Sequence, residues 1–124
     1  MTGAAPRADT GRRGEAAARR FLESRGYRIL TTNFRTPVGE VDLIAQRGDI
    51  ICFVEVKCRS VEDEYAPQLT VTPTKQRRVA RAARRFLAGR RDLPPSRFDV
   101  IEVILRGRGV GDIRHHPAAF NDPL

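Results

Sequence analysis

The sequence predicts an α/β domain whose elements run helix, three strands, helix, strand and a short closing edge strand. Three observations predict it. Two segments, 11–25 and 72–89, carry apolar residues at helical spacing; strand-like runs bounded by turn signals lie between and after them. The run Ile50–Lys57 is nearly continuously apolar, which marks a central strand covered on both faces. At 124 residues the chain fits one domain, large enough to bury a core without disulfide or metal staples.

Residues 1–10 (MTGAAPRADT) are small, polar and broken by Pro6, and read as a mobile leader before a single domain over 11–120 and a tail over 121–124. In the first helix Ala18, Phe21, Leu22 and Arg25 share a stripe ended by Gly26. Glu15 falls on that inward stripe, away from Arg12, Arg19 and Arg20, and an inward acid needs a partner. Tyr27 to Phe34 reads as the first strand, Thr36-Pro37-Val38-Gly39 as a turn, Glu40 to Ala45 as the second strand and Gln46-Arg47-Gly48-Asp49 as a tight turn. After the third strand comes an acidic loop from Ser60 to Tyr65. Thr72-Pro73 then supplies an N-cap and a proline in the first helical turn, followed by the apolar stripe Val79, Ala82, Ala83, Phe86 and Leu87. Arg97 to Leu105 is the fourth strand, and a glycine-rich turn leads to an edge strand near Asp112 to His116.

The net charge of +8 is concentrated in one element. Residues 65–91 hold eight cations and no acid, so the remainder sums to zero. Such focusing favours a polyanionic partner, nucleic acid, over general solubility, although a solvated arginine face or an anionic surface would carry the same charge. With 21 arginines against two lysines, Lys57 and Lys75 mark positions where a compact ammonium serves and a planar guanidinium does not. No apolar run is long enough to cross a bilayer and no secretory signal is present, so a cytoplasmic protein without a membrane partner is expected. Cys52 and Cys58 share a parity that disfavours a bridge; they read as reduced packing thiols, and zinc lacks a ligand set.

The hairpin GEVDLIAQRGDIICFVEVKCR raises the functional question, because its most apolar strand ends in Glu55-Val56-Lys57 and its partner begins with Glu40-Val41-Asp42. Pairing residues whose numbers sum to 95 puts Glu40, Asp42, Ile51, Phe53, Glu55 and Lys57 on one face and Val41, Leu43, Cys52, Val54 and Val56 on the other. Asp42 and Glu55 are then diagonal neighbours whose carboxylates can reach one ion. A salt-bridged surface hairpin, an internal ion-pair network and a divalent metal site all fit these charges. The hard oxygen ligands favour the last, with Mg²⁺ or Mn²⁺ as the metal and Lys57 orienting water or neutralising charge on a phosphate.

An acid on one strand and Glu-x-Lys on the next resemble the PD-(D/E)XK, or restriction-endonuclease-like, nuclease superfamily. The ordered set Gly14-Glu15, GYRIL, Asn33, GEVDLIA, FVEVKCR, Lys75 and RFDVIEV is similar to the bacterial YraN-like family, which is related to archaeal Holliday-junction resolvases. The resemblance covers about residues 11–120 and implies a mixed sheet flanked by helices. It implies a catalytic centre of Asp42, Glu55 and Lys57 with Glu15 as an extra acid, Mg²⁺ on Asp42 and Glu55, and DNA, including branched or junction DNA, as substrate. Glu40 and Arg59 are candidate supporting groups by their faces. Lys75 and Gln76 stand in the first turn of the second helix, where backbone amides favour a phosphate, and Arg77, Arg78, Arg81, Arg84 and Arg85 are candidate backbone contacts. Asp99 and Glu102 read as structural, and His115 and His116 as tail residues. The chain departs from the family in having Ala66 after Tyr65, where members often have glycine. A dimer would suit two-strand cleavage. The alternatives are a nucleic-acid-binding module on a nuclease scaffold without cleavage, and an interaction protein whose basic helix docks an acidic partner.

Overall fold

In a computed structural model, residues 7–61 and 71–124 are described, with side chains from Gly11 onward. The elements are α1 (Arg7–Ser24), β1 (Arg28–Thr36), β2 (Gly39–Arg47), β3 (Ile50–Ser60), α2 (Pro73–Leu87), β4 (Ser96–Arg106) and β5 (Gly109–Phe120). The strands form one sheet in the order β1-β2-β3-β4-β5, antiparallel throughout except for the parallel β3/β4 pair. A parallel pair needs a crossover, and α2 supplies it. The result is the mixed α/β fold expected of a restriction-endonuclease-like domain, with β3 at its centre.

The two helices cover opposite faces. Ala17, Ala18 and Leu22 of α1 pack with Leu43, Cys52, Val54, Ile101 and Val103, while Val79, Ala80, Ala82 and Ala83 of α2 pack with Val41, Ile44, Ile51, Phe53 and Phe98. Each helix approaches the sheet at a glycine. A Cβ on Gly14 would lie 2.6 Å from Cβ and Sγ of Cys58, and one on Gly39 would overlap the carbonyl oxygen of Arg78. These approaches fix the turn of α1 that carries Glu15 and lay the first half of α2 over the start of β2. The N-terminus of α2 is capped as the sequence predicts, Thr72 Oγ1 accepting the Lys75 N–H at 3.2 Å.

Several elements differ from the sequence expectation. α1 begins at Arg7 and not at Gly11, so four residues assigned to the leader are helical. β5 is no short strand but twelve residues long, reaching Phe120; it accommodates Pro117 because, among the described residues, one of its sides pairs with no strand. The β2/β3 register sums to 97, not 95: Arg47 pairs with Ile50 across a two-residue turn in which Gly48 takes a φ of +61°. Val41 joins the α2 side with Ile44, breaking strict alternation near Asp42. The break faces Asn33, whose φ of +50° lies between the Thr32–Leu43 and Phe34–Val41 pairs. The acidic triplet Glu62-Asp63-Glu64 and Ala66 lie outside the described residues.

His115 is no loose tail residue. Its Nε2 lies 2.8 Å from Oδ2 of the fully buried Asp99, which also accepts from Arg97 at 2.8 and 2.9 Å and from the Ala118 N–H at 3.0 Å. Burial alone would raise the Asp99 carboxyl; the hydrogen bonds from His115, Arg97 and Ala118 hold it below its ordinary value. Asp99 is structural, as expected, and it clamps β4 to β5. Both cysteines are free, and burial pushes the Cys52 thiol up to about 11, which suits a packing residue.

Candidate active site

The β2/β3 ladder ends at Leu43–Val54, and beyond it the strands part. In the fork the Val56 N–H donates to Oδ2 of Asp42 at 2.8 Å, a side chain replacing the ladder partner that β2 no longer offers. Asp42 and Glu55 flank the mouth of the fork, the residues next to the last ladder pair Leu43–Val54 on either strand, where the sequence expectation made them diagonal.

Glu55 is only 4% exposed, and its Oε2 is buried with no hydrogen-bond partner among the described residues. Its Oε1 faces two ammonium groups, Lys57 Nζ at 4.0 Å and Lys75 Nζ at 3.6 Å. Desolvation, and then the charge of Asp42, push the Glu55 carboxyl up to about 7, against the pull of the two lysines. Lys75 also meets Oε1 of Glu40 at 3.3 Å, and these acids hold its ammonium above its ordinary pKa although burial opposes them. Both lysines of an otherwise arginine-based chain thus converge on one carboxylate oxygen. A slim tetrahedral ammonium fits beside a buried carboxylate where a guanidinium plane would need more room.

Glu15 comes from α1 on the far side of the fork. Asn33 Nδ2 donates to its Oε1 at 2.5 Å, and its pKa is raised chiefly by burial, with a contribution from the charge of Asp42. The site thus collects Glu15, Glu40, Asp42, Glu55, Lys57 and Lys75. Arg59 is left out: it lies further along β3 opposite Ile104 and pairs with none of the described acids. Gln76 donates to the Val71 carbonyl at 3.0 Å and lines a separate cleft. Arg78, Arg81, Arg84 and Arg85 are exposed on α2, with Arg84 bound to Asp122 at 3.1 Å; Arg77 is half-buried and donates to Thr74.

Among the described residues no group of three or more His, Cys, Asp or Glu side chains is arranged to enclose a metal ion. Two carboxylates are nevertheless a sufficient protein contribution for Mg²⁺, which keeps several of its waters. The unpartnered Oε2 of Glu55 and the like-charged Asp42 beside it are what a divalent cation would satisfy, so the residues fit one. Asn33 was present in the sequence pattern without a role. The signal for it was a residue that tolerates positive φ in the middle of a strand, facing an acid. The signal for Lys75 was the scarcity of lysine.

Among the described residues no helix is long and apolar enough to cross a membrane. The model of an uncharacterised protein family, UPF0102, matches residues 14–103. A UPF0102 protein of Myxococcus xanthus is 44% identical over 98% of both chains. One of Geotalea uraniireducens is 46% identical, covering 89% of this chain and 87% of its own, and one of Symbiobacterium thermophilum is 50% identical over 75% and 80%. With matches of this identity along nearly the whole chain, the protein belongs to UPF0102, the YraN-like family that its motifs resemble.

Proposed function

We propose that the protein is a metal-dependent nuclease that hydrolyses DNA phosphodiester bonds, with branched or junction DNA as the favoured substrate. The observation that carries this reading is the fork between β2 and β3, where Asp42 and Glu55 meet around an unsatisfied buried oxygen beside the ammonium of Lys57. A structural ion-pair network would satisfy its buried oxygens internally, and this one does not. Asp42 and Glu55 would hold Mg²⁺ or Mn²⁺, which would supply Lewis-acid activation of water and stabilisation of the leaving oxygen.

The chain's own groups divide the rest of the work. Lys57, half-buried at the rim, orients the attacking water by hydrogen bonding and meets the charge that develops on the phosphate. Lys75 favours the ionised form of Glu55 by placing a positive charge at its Oε1, against the burial that raises its pKa. Glu15, steadied by Asn33, is an acid whose raised pKa suits it to accept a proton. The exposed arginines of α2 hold the DNA backbone without reading bases.

Incubation of linear and four-way DNA with Mg²⁺ tests this reading. Cleavage that disappears in EDTA and in Asp42→Asn is expected; equal nicking by wild type and variant would contradict it. Binding that persists in EDTA with no turnover on any substrate would favour a nucleic-acid-binding module instead.

A further inference from the structure

A cleft of about 370 Å³ opens beside the carboxylates, between the start of α2 and the β4/β5 edge, lined by Val71, Gln76, Val100, Glu102, His116 and Phe120. Its volume falls within the roughly 300–1,000 Å³ of small-ligand sites. The parallel β3/β4 ladder fixes where it lies. Val100 is the partner of Glu55 and Glu102 the partner of Lys57, so the cleft begins one strand over from the candidate catalytic groups, about 4.8 Å away.

We propose that this cleft is a subsite for an unpaired nucleobase bearing an exocyclic amino group (adenine, cytosine or guanine, as against thymine) next to the phosphate being cut. The inference rests on the nuclease reading and names its substrate class. Flat apolar walls come from Val100 and from Phe120, which is held rigid by stacking on Phe98 at 5.1 Å and 13°. The polar groups are acceptor-rich. Glu102 contributes a carboxylate anchored by His116 Nε2 at 3.3 Å, and Gln76 commits its amide nitrogen to the Val71 carbonyl, leaving its side-chain oxygen to accept. A carboxylate repels phosphate, so the backbone is turned away and a neutral ring can enter. Carboxylate and amide oxygens accept from the amino groups of cytosine and adenine, whereas thymine presents a carbonyl in that place. A stacked, paired base cannot enter such a cleft, so the subsite selects unpaired nucleotides, as occur at branches and ends.

Anisotropy titrations of oligo-dC, oligo-dT and duplex DNA in EDTA separate this subsite from catalysis. Wild type is expected to bind oligo-dC about ten-fold tighter than oligo-dT. Glu102→Gln, which places a donor in the cleft, is expected to erase that gap while duplex binding and melting temperature stay unchanged. His116→Ala, which releases the Glu102 carboxylate, is expected to reduce the gap in the same assay. Equal affinity for oligo-dC and oligo-dT in wild type, or an equal loss for both in Glu102→Gln, overturns the subsite and leaves the nuclease reading standing. An intact preference for oligo-dC in a protein that cleaves nothing with Mg²⁺ overturns the nuclease reading alone. Failure of every DNA to bind overturns both.

Discussion

Nζ of Lys75 lies 3.6 Å from Oε1 of Glu55, the oxygen that also stands 4.0 Å from Nζ of Lys57. Two cations from different elements therefore balance one buried acid, and only one belongs to the Glu-x-Lys motif. Lys75→Met is expected to raise the pH at which Glu55 ionises, because the substitution removes a charge that lowers its pKa. The acid limb of the rate–pH profile should move to higher pH, with duplex affinity nearly unchanged. Weaker duplex binding with an unmoved pH profile would instead make Lys75 a backbone-binding group.

Glu55 makes the fold less stable at neutral pH. Its carboxyl is raised from 4.5 to about 7 in the folded protein, so the native state keeps a proton that the unfolded chain releases. The resulting destabilisation is absent below about 4.5, grows as pH rises through that window and is complete above about 7. Glu55→Gln is expected to raise stability by about 1–3 kcal/mol above pH 7 and by nothing near 4.5, read as chemical-denaturation midpoints.

Gly39 and Arg78 set the height of α2 above the site. Gly39→Ala would drive a Cβ into the Arg78 carbonyl, backbone against backbone, and is expected to cost about 3 kcal/mol and to displace Lys75 from Glu40. Gly48→Ala lacks any such neighbour and should cost less, its penalty coming only from the positive φ. A similar cost at both positions would mean that α2 does not depend on the close approach.

Asn33 can be separated into its two roles. Asn33→Gly keeps the backbone at φ +50° but removes the hydrogen bond to Glu15, while Asn33→Ala removes that bond and strains the backbone as well. Comparable reductions of activity in the two variants, with stability lower in Asn33→Ala by about 1 kcal/mol, are expected. Full activity in Asn33→Gly would dismiss the hydrogen bond as a positioning interaction.

The exposed arginines should act through salt. Replacing Arg78, Arg81 or Arg85 singly with alanine is expected to reduce the slope of log affinity against log salt by about 0.9 for each phosphate that the side chain neutralises, without altering base preference. An unchanged slope would place the DNA elsewhere. Arg84, already paired with Asp122, should contribute less.

The helices, the central strand and the cap at Thr72 were legible because apolar period and capping chemistry are local. The shared face of Glu55 and Lys57 with Ile51 and Phe53 follows from the same local alternation along β3, which a register wrong by two leaves unchanged. What local pattern could not give was the fork itself. The sum of 95 assumed an ideal ladder running through Asp42, whereas the pairing stops at Leu43–Val54 and Asp42 turns to bond the Val56 N–H. Likewise β5 looked like a short edge strand and its histidines like tail residues, because their partners, Asp99 and Glu102, sit on a neighbouring strand and not within reach of a helical or strand period. Lys75 is the intermediate case: its rarity was visible, its two carboxylate partners were not.

Calorimetric titration of Mn²⁺ into wild type, Asp42→Asn and Glu55→Gln tests the pairing of these two acids most directly. One ion bound per chain in wild type, and none in either variant, is expected if Asp42 and Glu55 hold the metal together. Absence of binding in wild type, or binding that survives both substitutions, would contradict it.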